Sequence, residues 1–268
     1  MITLKELTNI EELEQLEIIE QNVWGMESLP VHQTLTAVKN GGIIVGAFDN
    51  NKIIGFSYGF AGFKDDQVYL CSHMLGIETE YRSKKIGEQL KKKQLEIAQQ
   101  KGYTEIHWTY DPLETRNGYL NLSKLNGISS VYMENAYGEM KDGLNKGLPS
   151  DRFEVHWHIT SDHVKNPPVY DNPIFLNSVS NHSQVPVCSQ LDDTSLTEAV
   201  YAVEVPKDFQ LIKNEDKNAA LDWRMKTREL FNKLFESGYA AIQLIPGKYT
   251  AHYIFVKKDT LKLGGNQK

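Results

Sequence analysis

A mixed α/β fold is predicted for about residues 1–160, followed by an irregular segment over 161–195 and a smaller α/β segment over 196–268. Three observations predict it. Short runs rich in β-branched and aromatic residues alternate with stretches of helical apolar spacing. The run QVYLCSHMLGI passes through a turn into a long basic helix that ends at Lys101-Gly102 and re-enters a strand, TEIHWTYDP. Residues 160–195 are rich in Asn, Ser, Asp and Pro and have no period, as at a connection between domains.

The elements follow in order. Ile10, Leu13, Leu16 and Ile18 or Ile19 recur at helical spacing, so residues 10–23 read as an amphipathic helix. GGIIVGAFD and KIIGFSYGFAG read as strands, and the turn signal Asp49-Asn50-Asn51-Lys52 between them makes a hairpin. QVYLCSHMLGI is a third strand. The next helix begins near Ile86, and Pro112 stops the strand after it. NGYLNLSKLNG reads as a short helix and RFEVHWHIT as an alternating strand. Beyond the irregular segment, AVYAVEVP is a strand. KNAALDWRMKTRELFNKLFESGY is a strong helix with Leu221, Met225, Leu230 and Leu234 on one side. AAIQLI and AHYIFVKK are strands, and the tail GGNQK is expected to fray. KKKQLEIAQQKGYTEIHW and RELFNKLFESGYAAIQL rhyme. Either the strand–helix–strand unit is repeated, making the C-terminal segment a half-repeat, or two helices simply end in the common Gly manner.

Bulk properties narrow the function. A net charge of -6 and a pI near 5.8 argue against a general nucleic-acid binder. Two cysteines, Cys71 and Cys188, make neither a disulfide framework nor a metal spacing. The acidic, helical N-terminus is unlike a signal peptide, and no apolar run approaches the roughly 20 residues that span a bilayer, so a cytoplasmic protein without membrane partners is expected. His156 and His158 alternate on one strand without a convincing third ligand, so no metal is expected. No GxSxG, HExxH or phosphate-binding Walker loop occurs.

Against this acidic background, residues 79–103 hold seven Lys/Arg and three Glu. Ile86, Leu90 and Ile97 form one helical stripe, so Lys91 and Lys92 read as a solvated face. The turn before the helix carries more information. Arg82 to Gly87 lie at a helix N-terminus, where free N–H groups and the helix dipole favour an anion. Lys84 and Lys85 add charge there, and Gly87 removes a side chain where a phosphate would approach. A diphosphate suits this turn better than DNA.

Tyr81-Arg82-Ser83-Lys84-Lys85-Ile86-Gly87-Glu88-Gln89-Leu90, between a strand and a long helix, resembles the acyl-CoA-binding motif of the GNAT superfamily of N-acetyltransferases. That motif reads Arg/Gln-x-x-Gly-x-Gly/Ala. Arg82 and Gly87 match, and Lys85 replaces the first glycine. The resemblance covers about residues 1–160 and implies a mixed, mainly antiparallel central sheet flanked by helices. HMLGIETEYRSKKIG, WTYDPLETRNGYLNLSKLNG, YGEM and GLPSDRFEVHW further resemble a bacterial subgroup associated with N-acylamino-acid metabolism.

The resemblance implies an acyl-CoA cosubstrate, acetyl-CoA or succinyl-CoA, and a small primary amine as acceptor, in the subgroup an amino acid. It places the pantetheine arm on the backbone of Met74, Leu75, Gly76 and Ile77, and the diphosphate on Arg82, Ser83, Lys84, Lys85, Ile86 and Gly87. The chemistry needs a base for the amine, and His73 titrates near neutral pH. The alternative for His73 is a hydrogen-bonded strand histidine. Glu78 is a second candidate base, or, like Glu80, an exposed carboxylate before a helix. The position of the family's usual thiolate acid holds Leu122, which leaves Tyr119, Tyr132 and Tyr137, with Tyr137 preferred for its place in the YGEM stretch. Asp111 ends a strand. Asn117 and Asn121, one helical turn apart, would share a face toward the cleft. Asp111 and Asn117 alternatively cap the turn around Pro112. Arg152 either pairs with Asp151 or binds an acceptor carboxylate. Trp24, Trp223, Arg224 and Arg228 read as packing residues or as walls of an acceptor pocket. A non-catalytic binding or sensor module on the same fold is the rival reading.

Overall fold

The structure, a computed structural model, describes residues 1–25, 28–82, 84–138, 147–180, 185–191 and 195–264. Two compact units make up the chain: Met1–Trp108 with His158–Thr160, and Thr109–Trp157 with Ser161–Lys268. The division falls after Trp108 rather than near residue 160, because β-strand residues from 109 onward pack with the C-terminal elements.

The first unit runs β1 (Ile2–Glu6), α1 (Ile10–Leu13), α2 (Leu16–Trp24), α3 (Val31–Lys39), β2 (Ile43–Asp49), β3 (Lys52–Lys64), β4 (Gln67–Ile77), α4 (Ile86–Gln100) and the start of β5 (Ile106–Tyr110). The strands lie in the order β1-β2-β3-β4-β5. All neighbours are antiparallel except β4 and β5, which the α4 crossover makes parallel. The expected hairpin of β2 and β3 forms across Asn50, which takes φ 54. The helix expected over 10–23 divides into α1 and α2. β1 and α3 lacked a usable period: five alternating residues and a polar VHQTLTAVK.

Helices α1 and α2 bury Leu13, Leu16 and Ile19 against Ile44, Phe48, Phe56 and Tyr58 of the sheet. α2 approaches β4 so closely that a Cβ at Gly76 would lie 2.9 Å from Trp24 Cη2, so only glycine fits there. A bulge between Tyr58 and Gly59 of β3 opposes Met74 and Ser72, leaving His73 as the extra residue of β4.

On the other face lies α4, which ends at Lys101 and Gly102, the latter at φ 88. Its apolar stripe is as expected, with Ile86, Leu90 and Ile97 buried. Its lysines are not all solvated. Lys91 is 3% exposed, and its Nζ donates to Ser72 Oγ at 2.8 Å and stands 3.6 Å from the centre of the Trp108 ring. Ser72 Oγ in turn donates to Gln94 Oε1 at 2.7 Å. Lys91 and Gln94 widen the buried face by a polar strip that apolar periodicity cannot see. Lys92 and Lys93 keep the surface role, paired with Glu88 and Glu96.

The second unit contains α5 (Thr115–Gly118), a π-helical turn (Tyr119–Lys124), β6 (Ile128–Met133), β7 (Arg152–Trp157), α6 (Asp162–Lys165), β8 (Ile174–Phe175), β9 (Asn177–Ser180), β10 (Val187–Leu191), β11 (Val200–Pro206), α7 (Phe209–Glu215), α8 (Lys217–Glu236), β12 (Tyr239–Pro246) and β13 (Thr250–Lys257). Its main strands lie in the order β7-β6-β12-β13-β11-β8, with β9 and β10 forming a separate pair. The segment read as irregular thus holds one short helix and three short strands. The rhyme with the first unit stops at sequence: β13 lies between β11 and β12, whereas β4 and β5 pair directly. α8 buries Ala220, Trp223, Arg224, Thr227, Leu230, Phe231 and Leu234. Leu221 and Met225, expected on that face, are 41% and 44% exposed, whereas Trp223 and Phe231 are buried.

Two predictions follow from α4. Burial without a carboxylate partner depresses the Lys91 amine from 10.5 to about 7. Between those values the unfolded chain holds a proton that the folded chain lacks, so this group's contribution to stability rises with pH across the window and is lowest at and below pH 7. Lys91→Met is therefore expected to stabilise most at about pH 7 and below, with the advantage shrinking towards pH 10; urea denaturation of both proteins across that range measures it. The residue before α4, Lys85, takes φ 61 and ψ 17, a left-handed conformation that L-residues avoid. Lys85→Gly is expected to raise stability by about 1 kcal/mol, read from the denaturant midpoint.

Candidate acyl-CoA site

β4 supplies the first half of the site. Among the described residues its ladder with β5 has two rungs, Leu70–Ile106 and Cys71–His107. On its other side it stays paired with β3 as far as Ile77. From Ser72 onward the edge facing β5 therefore carries backbone N–H and C=O groups that β5 does not use. Met74, Leu75 and Ile77, placed on the pantetheine arm by the resemblance, lie on that edge and are each half-buried.

The turn supplies the second half. A 3₁₀ turn, Thr79–Tyr81, leads from β4 to Arg82, whose Nε donates to the Ile77 carbonyl at 3.3 Å. Lys84 Nζ stands 4.4 Å from the Tyr81 ring centre. Lys85 turns the chain into α4, whose first bond in this turn is Gln89 N–H to the Lys85 carbonyl. The N–H groups of Ile86, Gly87 and Glu88 precede any intrahelical acceptor. Among the described residues no side chain caps them, while Arg82, Lys84 and Lys85 are exposed around them. Fifteen residues of helix dipole reinforce the positive end. Gly87 and Ile86 are buried. Ser83 lies outside the described residues.

On the α2 face, the bulge delivers His73. Its ring centre is 6.1 Å from that of Tyr58 and 5.8 Å from that of Phe60. The residue is exposed overall, yet desolvation by these neighbours pushes its pKa below the ordinary 6.5. A neutral imidazole at pH 7 is able to accept a proton. Glu20 of α2 was missed by the sequence reading. It is 4% exposed, burial raises its pKa, and the Leu29 N–H donates to its Oε2 at 2.7 Å. Burial, with lesser contributions from Cys71 and Glu20, raises the pKa of Tyr58. The signal was available: Glu20 stands four residues after Leu16, on the apolar stripe of α2. Glu78 accepts from Asn22 Nδ2 at 2.8 Å, tying the end of β4 to α2. Trp24 is a packing residue, edge-on to Phe56 at 6.1 Å.

The remaining candidates belong to the second unit. Asp111 is committed to structure: Arg224 grips both its oxygens, Nη1 to Oδ1 at 2.8 Å and Nη2 to Oδ2 at 2.5 Å, and the Leu113 N–H also donates to Oδ1. Arg224 is 1% exposed, so this carboxylate neutralises a buried guanidinium and does not serve as a base. Tyr137 is 57% exposed, and its hydroxyl lies 2.7 Å from Thr109 Oγ1. Asp151 pairs with Arg228 through Nε and Nη2, at 2.9 and 2.8 Å, and accepts from Tyr132 at 2.5 Å. Arg152 is thus not its ion-pair partner; it donates to the Asp151 carbonyl and lies over the Tyr137 ring. Arg228 lines a cleft of about 460 Å³ with Asn135, Gly138, Gly147, Leu148 and Pro149. Leu122, at the expected acid position, is 1% exposed core. Asn117 is exposed and Asn121 is 4% exposed, so they do not share an open face.

Among the described residues no helix is long and apolar enough to cross a membrane. No curated protein matches the chain. Solved structures that resemble it include the NatC complex bound to Gag peptide and CoA, at 20% identity and TM-score 0.47, covering 59% of this chain and 98% of that one. A GNAT-family acetyltransferase from Streptococcus pneumoniae gives 15% identity, TM-score 0.47, and coverage of 58% and 98%. An N-acetyltransferase from Staphylococcus aureus gives 15%, 0.45, and 60% and 99%. Residues 6–117 match the family model described as Acetyltransferase (GNAT) family, a span that holds both β4 and its motif turn. The likeness to the acetyltransferase (GNAT) family thus spans residues 6–117 of the chain.

Proposed function

We propose that this chain is an acyl-CoA-dependent N-acyltransferase that moves an acetyl or succinyl group to a small primary amine, an amino acid being the leading acceptor class. One observation carries the reading: a strand edge freed of its neighbour leads, through one short turn, to a cationic helix N-terminus. The edge offers backbone groups to an amide-containing arm, and the helix end offers N–H donors to a diphosphate. Pantetheine diphosphate presents those two features in that order.

In this reading Met74, Leu75, Gly76 and Ile77 hold the arm and orient the thioester. Arg82, Ser83, Lys84, Lys85 and the first-turn amides hold the diphosphate. The amine nitrogen attacks the thioester carbonyl, and His73 takes the amine proton, directly or through water. The carbon–sulfur bond then breaks and CoA thiolate leaves. Glu78 serves as an anchor for α2, and Tyr137 is the proposed proton donor to the thiolate. The cytoplasm is the proposed place of action. A second reading, CoA binding without turnover, is favoured by Leu122 at the usual acid position and by the left-handed Lys85.

Thermal unfolding with CoA, acetyl-CoA, succinyl-CoA, ATP and a DNA duplex tests the first step. A CoA compound at 100 times its dissociation constant is expected to add about 2.7 kcal/mol of stability, with no effect of DNA. Thiol release across a panel of amines then tests turnover. Its kcat/KM is expected to fall as pH drops through a pKa below 6.5, that of His73, and His73→Ala is expected to lower it by about 100-fold or more and remove that acid limb. CoA binding with no thiol release for any amine would establish the second reading.

A further inference from the structure

The two rungs of the β4–β5 ladder are Leu70–Ile106 and Cys71–His107. In a parallel ladder the next pair in register would be Ser72 and Trp108. Among the described residues that rung is absent, and beside it the Lys91 amine touches a side chain of each strand. Its Nζ donates to Ser72 Oγ at 2.8 Å, on β4, and stands 3.6 Å from the Trp108 ring centre, on β5. One helical turn on, Gln94 accepts from the same hydroxyl at 2.7 Å.

Stability does not explain this arrangement. The amine is buried, with no carboxylate among its hydrogen-bond partners in the described residues, and a side chain of similar length without charge would fill the space at lower free energy. What the amine adds is direction. It grips one strand by a hydrogen bond and the other by the face of an indole. It also rides on α4, the helix whose N-terminus forms the other half of the proposed acyl-CoA slot. We propose that Lys91 is a positioning residue that wedges β4 from β5 through Ser72 and Trp108, and so sets the free strand edge against the N-terminus of α4. The assignment rests on the acyl-CoA reading of that slot.

Calorimetric titration of the full chain with CoA, alongside thermal unfolding, provides the test. Lys91→Met is expected to raise the unfolding temperature yet weaken CoA binding about tenfold or more, because small displacements of a binding frame are amplified. Steady-state assays are expected to show a raised KM for acyl-CoA and an unchanged KM for the amine. Ser72→Ala, which removes the hydroxyl and keeps the amine, is expected to weaken CoA binding similarly, and the double variant to be no weaker than either single one. It decides the matter if Lys91→Met does not fold. Unchanged CoA affinity in the variants, or an affinity loss matched by lost stability, overturns the assignment while leaving the acyl-CoA reading intact. A wild-type chain that binds no CoA overturns both.

Discussion

The parting of β4 from β5 after Cys71–His107 is the constraint on which the first unit depends. A strand inside a sheet normally spends all its backbone groups on its neighbours. Here one edge is released over residues 72–77 while the other stays paired to β3, so the strand remains rigid and still has groups to offer a ligand. The bulge at His73 belongs to the same event. An extra residue in β4 changes which side chains face which side: Ser72 faces Lys91 and Gln94 of α4, whereas Met74 packs with the α2 cluster. Gly76 then admits Trp24, which lets α2 close over this stretch.

Burying polar groups is the recurring expense of this fold. In the first unit it is the Lys91, Ser72 and Gln94 chain beneath α4. In the second it is a pair of ion pairs on one helix face. Arg224 and Arg228 stand one turn apart on α8, and each grips an aspartate by two nitrogens, Asp111 and Asp151. Burial raises the pKa of Tyr132, and the Asp151 charge beside it acts in the same direction, so its phenol stays protonated as a donor to Asp151. Such pairs add little net stability over an apolar core, but they tolerate no missing partner. That intolerance specifies one alignment of α8 and explains why Trp223 and Phe231, rather than Leu221 and Met225, face inward.

Much of the candidate site was legible because it depends on local chain chemistry. The motif turn needs a strand end, cationic residues, a glycine and a helix start, all contiguous from Ile77 to Leu90. The strands with clear β-branched runs and the helix over 217–236 followed from period alone. The groups that were misread depend on partners distant in sequence. Asp111 looked free until Arg224, 113 residues away, took both its oxygens. A pair with its neighbour Arg152 was one of two readings for Asp151, whereas its partner is Arg228. Asn117 and Asn121 were expected to share an open face, yet packing of the turn buries Asn121 and leaves Asn117 exposed.

The sequence by itself determined the helix and strand pattern, the α4 stripe of Ile86, Leu90 and Ile97, and a cationic helix N-terminus. These are properties of residues within one or two turns of each other, where propensity and spacing act directly. Tertiary structure decided where β4 leaves β5, that Lys91 is inside rather than outside, that Glu20 is buried beside Leu29, and which arginine each aspartate holds. Those outcomes are set by packing and desolvation between segments far apart in the chain, and no local period encodes them.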